Sequence, residues 1–158
     1  MIIYTGCDHA GLELKKQLMS VLPDVQWKDL GTFTADSVDY PDFANLVCKE
    51  VSRAEIQNKS KGIEDALQGE SLGLLICGSG QGMVMRANRF PEIRAALCWT
   101  EEVAQVSRQH NNANVLCLGQ RFIKFDEALK ILRVFLSTPF EGGRHSLRVG
   151  KISAATDC

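Results

Sequence analysis

Short apolar runs alternate with amphipathic or polar stretches along the whole chain. MIIYTG reads as a strand. AGLELKKQLMSVL follows, with Leu12, Leu14, Leu18 and Val21 near one face of a helix that Pro23 and Asp24 end. VQWKDLG predicts a second strand with a glycine stop. Residues 40 to about 53 predict a helix opened by Asp39 and Pro41. Residues 55–71 are polar and lysine-rich, without strong apolar periodicity; an exposed extension of the helix or a loop insertion is expected there. Residues 72–77 form a third strand, with a helix over 82–90. IRAALCW is a fourth strand, followed by a helix over 101–109. NVLCLG is a fifth, followed by a helix over 126–136, and PFEGGRHSLRVGKISAA adds a glycine break and a last helix. Nearly all-apolar strands that alternate with helices imply an α/β fold, with a parallel sheet covered on both faces.

Composition narrows the classes. A length of 158 residues fits one domain over 1–158 with a full core. A hydrophobic share of 45% and a charged share of 23% are ordinary for a soluble globular protein. The net charge of -1 leaves no electrostatic footprint for nucleic acid or an anionic membrane. The apolar runs are too short to span a bilayer. MIIYTGCDHA has no basic region and reaches a polar turn quickly, so it does not read as a signal peptide. Cysteines at 7, 48, 77, 98, 117 and 158 form no C-x-x-C, and four of them sit in or beside apolar runs. Reduced, buried thiols in a cytoplasmic protein are expected rather than a disulfide framework. Close Cys/His pairs at ligand spacing are missing, so no metal site is expected.

The richest chemistry lies in LGLLICGSGQGMVMRAN, residues 72–88. A buried strand delivers Cys77 to the turn Gly78-Ser79-Gly80-Gln81-Gly82 before a helix N-terminus. That combines a base or nucleophile, free backbone N–H donors and the positive end of a helix dipole. Strand, glycine turn and helix also occur together in any α/β fold, and a strand-end cysteine is often only packing. The turn lacks a P-loop lysine, and Met83 stands where the dinucleotide fingerprint has its third glycine.

In parallel sheets ligands bind beyond the carboxyl ends of the strands. Asp8 and His9 follow strand one there, Cys77 follows strand three, and Gly119, Gln120 and Arg121 follow strand five. Asp8 also suits an N-cap. His110, Asn111 and Asn112 precede strand five, at its opposite end. Arg144 and Arg148 share one helix face, where they suit a phosphate or carboxylate, or simply a solvated face; His145 points elsewhere.

Five segments occur in order: GCDHAG at 6–11, DYPDFA at 39–44, ICGSGQG at 76–82, SRQHNNANVLCLGQR at 107–121 and EGGRHSLRV at 141–149. Together they make the chain resemble the sugar-phosphate isomerases of the ribose-5-phosphate isomerase type B family, which includes galactose-6-phosphate isomerase subunits. The polar stretch at about 55–71 falls outside the resemblance and looks like an insertion. The resemblance implies a Rossmann-like three-layer α/β/α sandwich with a five-stranded parallel sheet, no cofactor and no metal. It implies interconversion of ribose 5-phosphate and ribulose 5-phosphate by a homodimer or dimer of dimers with shared active sites. Cys77 matches the proton acceptor; relatives without it use a glutamate at the position of Met83. His110 matches the residue that assists ring opening. Ser79 stands where many relatives have threonine and offers the same hydroxyl. Asp8, His9, Tyr40, Gly78, Gly80, Gln81, Gly82 and Asn111 match substrate-binding positions, and Arg121, Arg144 and Arg148 match phosphate or substrate ligands. His110, Asn111 and Arg121 are implied to come from the neighbouring subunit, and Arg144 with Arg148 to clamp the phosphate with help from His9.

Other readings stand beside this one. Galactose 6-phosphate or allose 6-phosphate would need more room near Tyr40. A non-catalytic phosphosugar-binding module would keep the arginines without needing Cys77 and His110. A thiol-redox role lacks a resolving cysteine near Cys77 in sequence.

Overall fold

A computed structural model describes residues 1–69 and 71–154. Residue 70, part of the polar stretch, and Cys158 lie outside them. The strands are β1 (Ile2–Cys7), β2 (Gln26–Asp29), β3 (Ser71–Cys77), β4 (Ala95–Leu97) and β5 (Val115–Gly119). The α-helices are α1 (Leu12–Ser20), α2 (Tyr40–Ser60), α3 (Gln81–Ala87), α4 (Glu101–Asn111), α5 (Phe125–Ser137) and α6 (Arg144–Ile152). The five strands pair in the order β2-β1-β3-β5-β4, all parallel.

Strand pleating divides the core between the two faces of the sheet. Leu72, Leu74 and Ile76 of β3 pack with Leu14 and Leu18 of α1, Ala104 of α4 and Leu132 and Phe135 of α5. Leu75 and Cys77 point the other way, into a cluster with Val47, Cys48 and Val51 of α2 and Met83 and Ala87 of α3. Both faces are therefore covered, which is why the strands read as continuous apolar runs rather than alternating ones. From β1 the chain crosses first to β2 on one side and then to β3 on the other. The reversal opens a crevice beyond the carboxyl ends of β1 and β3. Asp8 and Cys77 stand at those two ends.

Two expectations change, and a third is met only in part. The polar stretch is a helical extension followed by a loop, mostly exposed as expected, but four of its residues are not. α2 continues to Ser60, and Glu55, Asn58, Asp65 and Ala66 are all buried. Its two buried carboxylates are paired internally: Arg94 Nη2 donates to Glu55 Oε1 at 2.5 Å, and Arg108 Nη2 to Asp65 Oδ1 at 2.7 Å. A helix that buries paired polar groups carries no apolar period for a sequence to display. The fourth strand shrinks to Ala95–Leu97 at the sheet edge, because the Arg94 N–H is taken by Asn114 Oδ1. Val21 lies beyond the end of α1 and is exposed.

Candidate active site

One group of functional side chains gathers at the crevice. Cys77 ends β3 facing α2 and α3, 5% exposed, and its Sγ accepts the Gly80 N–H at 3.1 Å. Gly80 holds φ at 76°, and a Cβ there would fall 2.4 Å from Leu97 Cδ1, so both backbone sign and space require glycine. Ser79 Oγ accepts the Gln81 N–H at 3.3 Å. The Tyr40 ring lies over the turn: a Cβ on Gly82 would fall 2.4 Å from its Cζ. Arg121 covers the other flank, its Nε 3.0 Å from where a Cβ on Gly78 would lie.

Asp8 is tied to the same place. Its N–H donates to Ile76 O at 3.1 Å, and its Oδ1 caps the following 3-10 turn by accepting the Gly11 N–H at 3.0 Å. His9 Nδ1 accepts the Val38 N–H at 3.3 Å. This leaves the proton of the neutral ring on Nε2, the nitrogen free to meet a ligand. Backbone bonds from Gln120 N–H to Cys77 O and from Arg121 N–H to Gly78 O, both 3.0 Å, lock the ends of β3 and β5 together.

The remaining thiols behave differently from a base. Burial pushes Cys7 up to about 11, Cys48 to about 12 and Cys98 to about 11, and raises Cys117 too. All four are protonated near neutral pH. Cys7, Cys48, Cys77, Cys98 and Cys117 are free and buried, in line with reduced thiols.

A second group forms where α4 ends and α6 begins. The His110 and His145 rings stack with centroids 4.4 Å apart and planes within 4°. Glu141 Oε2 lies 3.9 Å from His110 Nε2 and 3.7 Å from His145 Nε2. Burial, then His110 and Arg144, lower the His145 pKa, while Glu141 pulls it up and Arg148 pushes it down. Arg144 and Arg148 are exposed on α6 beside this stack, and Asn111 is exposed at the end of α4. By residue type His110, Glu141 and His145 could ligate a metal, with ligand atoms within 4.8 Å of one another. Parallel rings, however, send their in-plane lone pairs side by side rather than onto a common point, so the arrangement does not suit one.

Register separates the two groups. Gly73 pairs with Val115 and Cys77 with Gly119. The start of β5, into which His110, Asn111 and Asn112 lead, lies four residues below Cys77, about 13 Å at about 3.3 Å per residue. Asp8, His9, Tyr40, Cys77, residues 78–82 and Arg121 stand at the carboxyl end. His110, Asn111, Arg144 and Arg148 stand toward the other. Within one chain His9 is not brought to Arg144 and Arg148. The Arg121 side chain lies against Gly78 of its own chain. The sequence reading missed Glu141 and the part of His145; the one signal was their i,i+4 spacing.

A parallel sheet with a thiol, a glycine turn and a carboxylate at its switch point defines an α/β enzyme frame for a small ligand. Residues 3–152 match the Ribose/Galactose Isomerase family, and the chain belongs to it. The probable ribose-5-phosphate isomerase B of Mycoplasma pneumoniae is 43% identical over 155 residues, covering 96% of this chain and 93% of that one. Ribose-5-phosphate isomerase B of Escherichia coli is 38% identical over 151 residues, 94% of this chain and 92% of that one. The solved ribose-5-phosphate isomerase B of Mycoplasma genitalium with bound ribulose-5-phosphate superimposes with a TM-score of 0.84 at 41% identity, covering 96% of this chain and 93% of that one. No helix among the described residues is long and apolar enough to cross a membrane.

Proposed function

We infer that this chain is an aldose–ketose isomerase that interconverts ribose 5-phosphate and ribulose 5-phosphate. The family and a ribulose-5-phosphate-bound relative of the same fold support the reaction. The observation that carries the mechanism is the Cys77 sulfur held at the crevice by the Gly80 N–H.

Starting from the aldose, the Cys77 thiolate takes the proton from C2, and the electron pair moves into an enediolate. Returning the proton to C1, with the hydroxyl proton passing from O2 to O1, gives the ketose. Base catalysis of this kind contributes about 10²- to 10⁴-fold. Charge that builds on the enediolate oxygens is met by the turn's remaining N–H groups at residues 78, 79 and 82, with the Ser79 hydroxyl beside them; those of Gly80 and Gln81 already donate to Cys77 and Ser79. Asp8, Tyr40, Gln81 and Arg121 border the sugar. Ribose 5-phosphate arrives mostly as a ring, so a group must move the hemiacetal proton; His110 takes that part. Arg144 and Arg148 hold the phosphate, whose binding energy orients the reacting carbons.

Two ends of one sheet cannot close on a single pentose. A two-fold homodimer, alone or paired again as a dimer of dimers, removes the difficulty. It brings His110, Asn111, Arg144 and Arg148 of one subunit to the His9 and Cys77 of the other. Reduced thiols accord with a cytoplasmic setting. Purified protein supplied with ribose 5-phosphate should form ribulose 5-phosphate; absence of turnover with this substrate overturns the reading.

A further inference from the structure

The segment that looks like an insertion in the sequence holds a buried carboxylate with three partners. Asp65 is 6% exposed. Its Oδ1 accepts from Arg108 Nη2 at 2.7 Å and from the Leu67 N–H at 2.9 Å, and its Oδ2 accepts the Phe140 N–H at 3.1 Å. Arg108 is wholly buried and spends its remaining donors on Ala113 O at 2.5 Å, Asn112 Oδ1 at 3.2 Å and Thr138 O at 3.1 Å. One carboxylate thus ties the 61–69 segment, the last turn of α4 and the strand of chain before α6 into one unit.

Both imidazoles of the stack hang from that unit. His110 lies two residues beyond Arg108 on the same helical turn. Glu141 directly follows Phe140, and its N–H donates to Gln109 O at 3.1 Å. His145 follows one turn later and meets His110 at 4.4 Å. The α4 side and the α6 side of the stack sit on different segments. The polar links between those segments are the Asp65 bridge from Arg108 to the Phe140 N–H, the direct Arg108–Thr138 bond and the Glu141–Gln109 backbone bond.

We propose that Asp65, acting through Arg108 and the Phe140 N–H, is a positioning residue that holds His110 against Glu141 and His145. Its effect on turnover rests on the ring-opening part given to His110; its effect on geometry does not. A buried ion pair that only stabilised the fold would affect all steps of the reaction alike. One that positions His110 affects the step that needs a ring opened.

Two variants separate these. Asp65→Asn keeps the shape and removes the charge. Arg108→Lys keeps a cation beside Asp65 but loses the planar fork that reaches Thr138 and Ala113, and its fold is checked by the cooperativity of its urea transition. The chain holds only three histidines, so imidazole C–H signals in nuclear magnetic resonance resolve each one. In both variants the His110 and His145 signals should lose the displacement caused by stacking, while His9 stays in place. Turnover of ribose 5-phosphate should fall about 10-fold. Release of deuterium from C1 of ribulose 5-phosphate should change less than about 2-fold, because that ketose is esterified at O5 and cannot close a furanose ring. Unmoved His110 and His145 signals in the folded Arg108→Lys protein overturn the proposal. So does deuterium release that falls in parallel with turnover. Displaced signals with undiminished turnover support the positioning link and instead remove His110 from ring opening.

Discussion

The Cys77 sulfur accepts the Gly80 backbone N–H at 3.1 Å, so the thiol at the end of β3 is fastened to the turn that follows it. Cys77→Ala should lower kcat by about 10²-fold or more while costing stability only about 1 kcal/mol, since a small side chain is removed. Gly80→Ala should cost about 1–2 kcal/mol from the left-handed backbone, plus the displacement of Leu97, and lower kcat as well. Steady-state rates and urea midpoints check both. Retention of most activity by Cys77→Ala would remove the thiol from the reaction.

His110 is tested by separating ring opening from proton transfer. His110→Asn should slow ribose 5-phosphate turnover about 10²-fold yet leave deuterium release from C1 of ribulose 5-phosphate within a few-fold of the native rate. Equal losses in the two measurements would place His110 in proton transfer or in folding.

How much of this was legible in the sequence follows from what each residue does. The strands of the sheet and the thiol at Cys77 are written in apolar runs and a glycine turn, local features that any window displays. The Asp8 cap is equally local. The partial burial of the α2 extension was not legible, because Glu55 is held against Arg94, 39 residues away, and the pairing leaves no period. The stack of His110 on His145 joins two helices, and no spacing within either one announces it. Separation of His110 from Cys77 was legible, since strand direction alone puts them at opposite ends. The contact of Arg121 with Gly78 was not, because it joins residues 43 positions apart.

Arg144 and Arg148 are exposed one turn apart on α6, and among the described residues neither is paired with a carboxylate. Such a pair is ready for a dianion. A hydrogen bond between charged groups is worth about 1.5 kcal/mol or more, about tenfold in affinity. Arg148→Ala should therefore raise KM for ribose 5-phosphate and the inhibition constant of inorganic phosphate together, each about 10-fold or more. Unchanged phosphate inhibition would return both arginines to a solvated face.

His145 sets a pH dependence. Burial, then His110 and Arg144, hold its pKa below the ordinary 6.5. The unfolded chain, with the higher pKa, takes up the proton first as pH falls. Stability from the neutral, stacked ring is therefore full above about pH 6.5 and is lost as pH drops below it. Urea midpoints near pH 7.5 and near pH 5.5 should fall further apart for the native chain than for His145→Gln. An equal decline in the two proteins would show that the stack contributes nothing to the slope.

The shared site makes the strongest demand on the structure. Cys77 and the entry to β5 are four residues of strand apart in register, about 13 Å, more than a pentose spans between its reacting carbons and its ring oxygen. Cys77→Ala and His110→Ala homodimers should each be inactive, because every site in them lacks one of the two groups. Mixing them under conditions that exchange subunits gives hybrids. In a hybrid, one site combines Cys77 of one chain with His110 of the other, and the second site lacks both. If half of the dimers are hybrids, about a quarter of native activity should return, since one site in two works in half of the population. The recovered rate should follow the hybrid fraction measured by native mass spectrometry. Verified exchange without recovery would mean that each site is built within one chain, and that His110 acts on something other than the sugar held at Cys77.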